Sequence, residues 1–443
     1  MKKSSHIVGI FFCMDAITIY DLFGGCVDKI VTDTRTLKQD DIYFALKGAN
    51  FNGNAFAIQA LEMGARFVVV DENIKEDKRV IQVDNVLMCM QDLAKIHRKK
   101  MDAKVIGITG SNGKTTTKEL LFSILKEKFQ TLATQGNLNN HIGVPLTIFK
   151  LEPRHQILIL EMGANKPGDI SELAEIGLPD LALITSLGKA HLEGFGSFEG
   201  VIRTKRELFD NVASRGGTLF FNFNDPMIKT LYGEFKDGLS FGNTDTNADY
   251  TYDLLQQIPE IKLQAVYNQE KIEYSSHLFG VHNYQNVIAS ITIARYLGLN
   301  IDQINRGLNE YHPNNMRSQI TNWHQNKVIL DAYNANPSSM SAAIGSLLQF
   351  DHNAKWVILG KMAELGDSSE AEHQNIIKLL ATCNFEKVLL IGKDYNKDII
   401  QSNMLAFENV DQAKEWLNQY RPINKLILIK GSRSSQLEKL LLE

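Results

Sequence analysis

The stretch Gly107-Ile108-Thr109-Gly110-Ser111-Asn112-Gly113-Lys114-Thr115-Thr116-Thr117 decides the fold, because it sets a glycine-rich turn between the apolar run Lys104–Ile108 and the amphipathic stretch Lys118–Phe129. Glycines permit positive φ and close backbone approach, so successive N–H groups can point at phosphate oxygens where the following helix presents its positive end. Lys114 would reach the terminal phosphates, and Thr115 would offer a hydroxyl to Mg²⁺. The general consensus G-x-x-x-x-G-K-[ST] would put its first glycine at Ile108; what stands is G-x-x-G-x-x-G-K-T-T. The alternative, a strand-to-helix turn that is merely glycine-rich, leaves the Lys-Thr pair directly after the last glycine unexplained.

Outward from this turn the chain alternates strand and helix patterns. Val105–Thr109, Ile157–Glu161 and Leu181–Thr185 are compact apolar runs, with helical stretches at Thr115–Phe129 and Phe198–Val212, so a largely parallel sheet is expected. Its ligand crevice should lie at the strand carboxyl ends, where Gly110–Thr115, Glu161-Met162-Gly163 and Ser186–His191 would emerge together. Asn283–Leu297 and Ile301–Tyr311 read as two further helices, and His312-Pro313-Asn314-Asn315 as the hinge out of this domain. Four more apolar runs, Lys327–Leu330, Trp356–Leu359, Val388–Ile391 and Leu426–Ile429, alternate with helical stretches at Ser338–Leu348, Glu372–Ala381, Asp411–Tyr420 and Ser435–Leu442. They predict a second doubly wound, Rossmann-like domain. Before the turn, strands at Asp41–Leu46 and Phe67–Val70 and helices at Asn54–Met63 and Asn85–Arg98 predict a small α/β domain. The expected protein is therefore α/β with three domains, 1–100, 101–312 and 313–443, the central one of the P-loop type. No internal repeat or low-complexity segment interrupts it.

A chain of 443 residues exceeds what one core usually organises, which agrees with several domains. A net charge of −4 argues against a nucleic-acid surface spread over the molecule and leaves room for small anionic ligands. Cys13, Cys26, Cys89 and Cys383 lack metal or disulfide spacing, so a reducing cytoplasm is expected. Lys2 and Lys3 precede the apolar run Ile7–Met14, but Asp15 follows at once without a small-residue cleavage site, and no later run approaches the length that spans a bilayer.

Several polar residues fall where chemistry could sit. Glu161 ends a buried strand, where a carboxylate needs compensation; a magnesium ion supplies it, and a helix cap or a pair with Lys166 is the other reading. His191 lies on a glycine-punctuated loop, a place as compatible with a structural histidine as with a ligand. Composition alone makes Lys205 part of a solvated basic face. Asp331-Ala332-Tyr333-Asn334-Ala335-Asn336-Pro337 and Lys430-Gly431-Ser432-Arg433-Ser434 place a carboxylate, amides and cations on strand-end loops of the last domain. Thr32-Asp33-Thr34-Arg35 and Lys47-Gly48-Ala49-Asn50-Phe51-Asn52-Gly53 combine turn formers with donors suited to a phosphate or a base, Phe51 adding a stacking face; a solvated Asp33–Arg35 ion pair is the plainer reading.

Taken in order, these segments resemble the Mur ligase family, the ATP-dependent carboxylate–amine ligases of peptidoglycan precursor synthesis. Gly110, Ser111, Asn112, Gly113, Lys114, Thr115 and Thr116 match its ATP loop. Asn137-Leu138-Asn139-Asn140-His141-Ile142-Gly143-Val144-Pro145-Leu146-Thr147 resembles a segment of the member that joins D-alanyl-D-alanine to a UDP-linked muramoyl tripeptide. Glu161–Ala164, Ala190–Ser197, Thr204-Lys205, Gly280–Asn286, Met316-Arg317, Asp331–Pro337 and Lys430–Ser434 follow in order. The resemblance implies that Lys114 and Thr115 handle the ATP phosphates and Mg²⁺, that Glu161 and His191 are metal ligands, and that Lys205 is carbamylated by CO₂ to hold a second Mg²⁺. It implies further that Asn283 and Asn286 lie near adenine and that Arg317 and Asp331 contact ribose and phosphate. Thr34, Arg35, Gly48, Phe51, Asn137 and Asn139 would hold the UDP end, and Asn334, Asn336, Lys430 and Arg433 the dipeptide or the closing domain. Lys114, Lys205 and His191 are the catalytic candidates, in a monomer acting in the cytoplasm on small molecules, without nucleic acid or membrane insertion. In Gly360-Lys361-Met362-Ala363-Glu364-Leu365-Gly366 a lysine stands where that member has aspartate. The rival inside the family adds the third peptide residue and carries D-N-P-R, whereas Asn336-Pro337 is followed here by Ser338. A folate polyglutamate ligase lacks the uridine-type first domain. A catalytically silent nucleotide-binding protein or switch would not need Lys114, Glu161, His191 and Lys205 together.

Overall fold

A computed structural model describes residues 14–74, 77–189, 192–235, 238–267, 270–395 and 401–442. The chain divides into two compact units, one of Met1–Ala103, Thr134–Gln156 and Glu175–Leu178, the other of Lys104–Ala133, Ile157–Ala174 and Pro179–Glu443.

The first unit is built on four parallel strands in sequence order, Ile30–Val31, Ile42–Phe44, Phe67–Val70 and Val80–Gln82. Val68, Val69 and Val70 are fully buried because the sheet is covered, which is why this run reads as continuously apolar. Helix Val86–Lys99 begins where the Asn85 side chain accepts from Met88 N at 2.9 Å, and it buries Met90, Leu93 and Ala94. Its His97 lies between Tyr20 Oη and Leu151 O, each at 2.8 Å. The ring donates to the carbonyl and accepts from the phenol, and burial holds its pKa below the usual histidine range.

In the second unit a nine-stranded sheet runs Glu270–Ser276, Ile261–Tyr267, Tyr250–Gln256, Leu239–Asn243, Thr218–Asn222, Leu181–Ile184, Lys104–Thr109, Ile157–Glu161, Thr131–Ala133. The strands from Tyr250–Gln256 to Thr131–Ala133 are parallel; the first two add an antiparallel flank. Register sets Ile108 beside Glu161 and Thr109 beside Ile184, so three carboxyl ends meet at one edge. Helix Lys114–Leu125 packs Leu120, Leu121 and Ile124 against Val287, Ile288 and Ile291 of helix Val281–Tyr296. Helix Phe198–Ala213, capped by Ser197, buries Val201, Leu208, Phe209 and Val212 against the strands.

The same unit contains a six-stranded sheet ordered Gln319–Trp323, Asn326–Asp331, Leu426–Lys430, Lys355–Gly360, Lys387–Ile391, Met404–Phe407, parallel except for its first edge strand. Helices Pro337–Gln349 and Ser369–Ala381 cover one face, and Val410–Tyr420 with the turn Leu437–Leu441 the other. The helix expected over Ser435–Leu442 is instead two 3₁₀ turns, Arg433–Ser435 and Leu437–Leu441, because Gln436 between them sits at φ +50°.

Candidate active site

Gly110 takes φ +145° and Gly113 φ +82°. A Cβ on Gly110 would stand 2.1 Å from Thr185 Oγ1, and one on Gly113 would stand 2.3 Å from Asn286 Oδ1, so both positions exclude a side chain. The turn between them is held from its own fold. Ser111 N–H donates to Ser186 O at 2.9 Å, Asn112 N–H to Ser186 Oγ at 3.0 Å, and Thr185 Oγ1 to Asn112 O at 2.6 Å. Ser111 Oγ bridges Gly188 O at 2.9 Å and Gly188 N at 3.0 Å. The donors aimed at an anion are thus those of the first helical turn, Lys114 to Thr116, which have no acceptor within the helix. The N–H groups of Ser111 and Asn112, expected to face phosphate, brace the loop instead.

Lys114 curls back over the loop, its Nζ donating to Gly110 O at 2.6 Å and Ser111 O at 3.4 Å. Burial lowers its pKa, against which Glu161 and Glu364 favour the ammonium. Thr115 Oγ1 donates to Glu161 Oε1 at 3.2 Å, and Glu161 is 1% exposed. A hydroxyl and a buried carboxylate at the end of a phosphate loop form an oxygen donor set suited to Mg²⁺. Among the described residues no three His, Cys, Asp or Glu side chains gather as a metal cluster. His191 lies outside the described residues.

Lys205 is buried at 2% exposure, its Nζ 5.3 Å from the centre of the Phe195 ring. Burial first, and then the nearby Lys114, push its pKa down to about 7, opposed by Glu207 and Asp169. The helix face read from composition as solvated is therefore buried at this position, and its amine is about half neutral near pH 7.

Asn283 and Asn286, both buried, form a chain reaching the phosphate loop. Asn283 Nδ2 donates to Phe279 O at 3.0 Å and to Ser318 Oγ at 3.2 Å, with His282 Nε2 also 3.1 Å away; Asn286 Nδ2 donates to Asn283 Oδ1 at 3.1 Å; and Asn286 Oδ1 accepts from Thr117 Oγ1 at 3.2 Å. His282, pushed down to about 4 by burial, stays neutral. Asp331 joins the same edge, accepting from Ser318 N at 3.2 Å and from Lys430 Nζ at 2.6 Å. Burial raises the Asp331 pKa, but Lys430, with His282 and the Ser318 N–H, outweighs it and the net shift is downward. The Arg317 guanidinium lies 3.9 Å from the centre of the Tyr333 ring, and its buried Nε has no hydrogen-bond partner among the described residues, an orphan donor suited to an anionic ligand. Asn336 caps helix Pro337–Gln349 and donates from Nδ2 to Asn112 Oδ1 at 2.8 Å, tying the six-stranded sheet to the phosphate loop. Asn334 is exposed, its Oδ1 accepting from Ala335 N; Arg433 turns to Glu438 and the Met316 sulfur. His282, Ser318 and Thr117 were not anticipated; their polarity gave no signal apart from the partners they bridge.

In the first unit Arg35 and Asp33 pair at 2.6 Å, with Asp33 held down to about 2 by that hydrogen bonding. Thr34 opens the turn Thr34–Thr36. Gly48 pairs with Phe51 in a small hairpin, and Phe51, 52% exposed, stacks on Phe56. Asn137 is exposed and Asn139 half-buried. Among the described residues no helix is long and apolar enough to cross a membrane.

A glycine turn ending a central parallel strand, a hydroxyl–carboxylate pair beside it and a second doubly wound sheet reaching back to it define an ATP-loop ligase architecture. Residues 108–294 match the family model described as Mur ligase middle domain, and residues 316–433 that described as Mur ligase, glutamate ligase domain. The chain belongs to the Mur ligase family. It is 32% identical over 432 residues to the UDP-N-acetylmuramoyl-tripeptide–D-alanyl-D-alanine ligase of Bacillus subtilis (strain 168), covering 94% of this chain and 92% of that one. MurF from Acinetobacter baumannii superposes with TM-score 0.84 at 31% identity, over 93% of this chain and 92% of that one. The MurF ligase of Thermotoga maritima in complex with ADP superposes with TM-score 0.84 at 26% identity, over 94% and 97%.

Proposed function

We propose that the chain joins D-alanyl-D-alanine to UDP-N-acetylmuramoyl-tripeptide with consumption of ATP, giving the pentapeptide precursor of peptidoglycan in the cytoplasm, and that it works as a monomer. What carries the reading is the phosphate loop itself: Lys114, Thr115 and Glu161 meet at the end of the central strand in a chain that matches such ligases over nearly its full length.

In this reading the tripeptide carboxylate attacks the γ-phosphorus of ATP, ADP leaves, and an acyl phosphate forms. The dipeptide amine then attacks the acyl carbon, the C–N bond forms, and phosphate departs with the C–O bonding pair. Lys114 and the first-turn N–H groups cancel charge on the transferred phosphoryl, which is most of what such a transfer asks of a protein. Thr115 and Glu161 would hold Mg²⁺, which neutralises phosphate charge when bound. Lys205, buried and about half neutral near pH 7, is able to add CO₂; the resulting carbamate turns a cation that would repel the metal into an anionic oxygen ligand, and His191 is assigned to the same metal. Arg317 and Asp331 serve phosphate and ribose, Asn283 and Asn286 the adenine end, and Asn334, Asn336, Lys430 and Arg433 the closing domain. Division at 1–100, 101–312 and 313–443 assigns the UDP end to the first part, through Thr34, Arg35, Gly48, Phe51, Asn137 and Asn139.

The test is mass detection of product. With ATP, Mg²⁺, UDP-muramoyl tripeptide and D-alanyl-D-alanine, one pentapeptide and one ADP should form together. ADP release that ignores omission of the tripeptide would refute the reading.

A further inference from the structure

The segment that leads into the six-stranded sheet is strained around one cation. Asn315, Met316 and Ser318 take φ +56°, +56° and +51°, a left-handed backbone that non-glycine residues keep where their surroundings impose it, and Arg317 stands among them. Hydrogen bonds fix both flanks. Met316 N–H donates to Gln319 Oε1 at 3.4 Å, and Ser318 N–H donates to Asp331 Oδ1 at 3.2 Å while its hydroxyl accepts from Asn283 Nδ2 at 3.2 Å. From here Arg317 reaches the loop after strand Asn326–Asp331, where its guanidinium carbon lies 3.9 Å from the centre of the half-buried Tyr333 ring, over its face. Two hydrogen-bonded routes run from this pair to the phosphate loop. One passes from Ser318 through Asn283 and Asn286 to Thr117; the other joins Asn336, three residues after Tyr333, to Asn112.

The choice of a ring to hold this cation has chemical content. A carboxylate beneath the guanidinium would hold it as firmly, but would cancel its charge and occupy its N–H donors. Asp331, two residues before Tyr333, is engaged by Lys430 and Ser318 instead. An aromatic face fixes the guanidinium plane, keeps the full positive charge and leaves the donors pointing outward in that plane. Nε is accordingly buried with no hydrogen-bond partner among the described residues.

We propose that Tyr333 is a positioning residue for phosphoryl transfer, its ring face holding the Arg317 guanidinium in the orientation that meets the phosphate charge of ATP. This rests on the reading above in which Arg317 serves a phosphate. The ring acts through the arginine and touches no reacting atom.

The experiment uses the full-length enzyme, with ADP formation in the complete ligation assay and thermal unfolding as readouts. Tyr333→Leu should lower kcat/KM for ATP about ten-fold, and Tyr333→Phe should keep most of what the leucine variant loses. Mono-, di- and trifluorinated phenylalanine placed at Tyr333 withdraw charge from the ring face with little change of shape. With them kcat/KM for ATP should step down with each fluorine, to about ten-fold below Tyr333→Phe at the last. In an Arg317→Ala background Tyr333→Leu should cost nothing further, because the ring acts only through the guanidinium. A flat fluorine series overturns the proposal, and so does one in which the unfolding midpoint alone moves. A loss in Tyr333→Phe as large as in Tyr333→Leu also overturns it, by assigning the role to the hydroxyl. Near-normal turnover and ATP KM in Arg317→Ala alone would remove that arginine from the phosphate and take this inference with it, an outcome separate from failure at Tyr333.

Discussion

The phosphate loop and the two loops of the first unit, Thr32–Arg35 and Lys47–Gly53, carry similar kinds of residues: glycines, hydroxyls, amides and a cation. They are built differently. Around Gly110–Thr117 nearly every polar group is fixed by a neighbour on another strand or helix, through Ser186, Gly188, Asn286 and Asn336, and two glycines have no room for a Cβ. In the first unit Arg35 answers Asp33 two residues away with 87% of its side chain exposed, whereas Lys47–Gly53 is braced more like the phosphate loop, Asn54 bonding Asp71, Asn52 bonding Glu72 and Gly53 leaving no room for a Cβ. The phosphate loop is prepared for its ligand before binding; the exposed Asp33–Arg35 pair must exchange partners with solvent to bind one. Preorganisation is what makes charge cancellation effective in a transfer reaction.

The largest effect should come from Lys114→Ala. Ligation should fall about 10³-fold in kcat, with a thermal midpoint near wild type, because Nζ supplies transition-state charge and only two backbone contacts. A folded variant with near-normal turnover would erase the distinction between the two regions.

Lys205→Ala should cost about 10²-fold or more, partly restored by a short-chain carboxylate added to the assay. The pH dependence follows from the Lys205 pKa, pushed down to about 7. Below that pH the amine is protonated and cannot take up CO₂, so carbamate-dependent activity should rise as pH rises through about 7. In CO₂-free buffer the unfolded chain, with an ordinary lysine pKa of about 10.4, binds one more proton than the folded chain between about pH 7 and about pH 10.4, so stability should increase with pH in that window and level off above it. Lys205→Met should flatten that slope in a denaturant titration series.

Gly110→Ala should lower stability by about 2 kcal/mol or more, since the added methyl meets Thr185 at a φ that L-residues avoid. Asn286→Ala should cost about 1 to 3 kcal/mol, stranding Thr117 and Asn283. The smallest change is expected for Arg35→Ala, within about 0.5 kcal/mol of wild type in chemical denaturation, with any effect confined to the KM of the UDP substrate. A destabilisation from Arg35→Ala as large as that from Asn286→Ala would show the Thr32–Arg35 loop to be braced after all.

The same contrast explains what the sequence made legible. The strands Ile157–Glu161 and Phe67–Val70 were read at their observed bounds because burial on both faces leaves a continuous apolar run. The meeting of Thr115 with Glu161 followed from strand ends in a parallel sheet. Strand Tyr250–Gln256 and the antiparallel flank beyond it, Ile261–Tyr267 and Glu270–Ser276, were not read, since one side faces solvent, with Leu255 and Val266 exposed and polar residues between. Nor was the edge strand Gln319–Trp323, whose residues are mostly half-buried. At the site, the roles of Asn286 as a brace and of Asn336 as a tether to Asn112 depend on partners 169 and 224 residues away, and no local pattern encodes those. Composition alone set Lys205 on a solvated face, and its burial at 2% exposure could not be read locally because the helix period places it beside the apolar face without revealing what covers it.

The fate of one carboxylate oxygen reports the reaction path. With ¹⁸O in the terminal carboxylate of UDP-muramoyl tripeptide, phosphorus NMR of the completed reaction should find one labelled oxygen in each inorganic phosphate released with product. Phosphate free of label, or label carried in AMP, would contradict γ-phosphoryl transfer at the Lys114 loop.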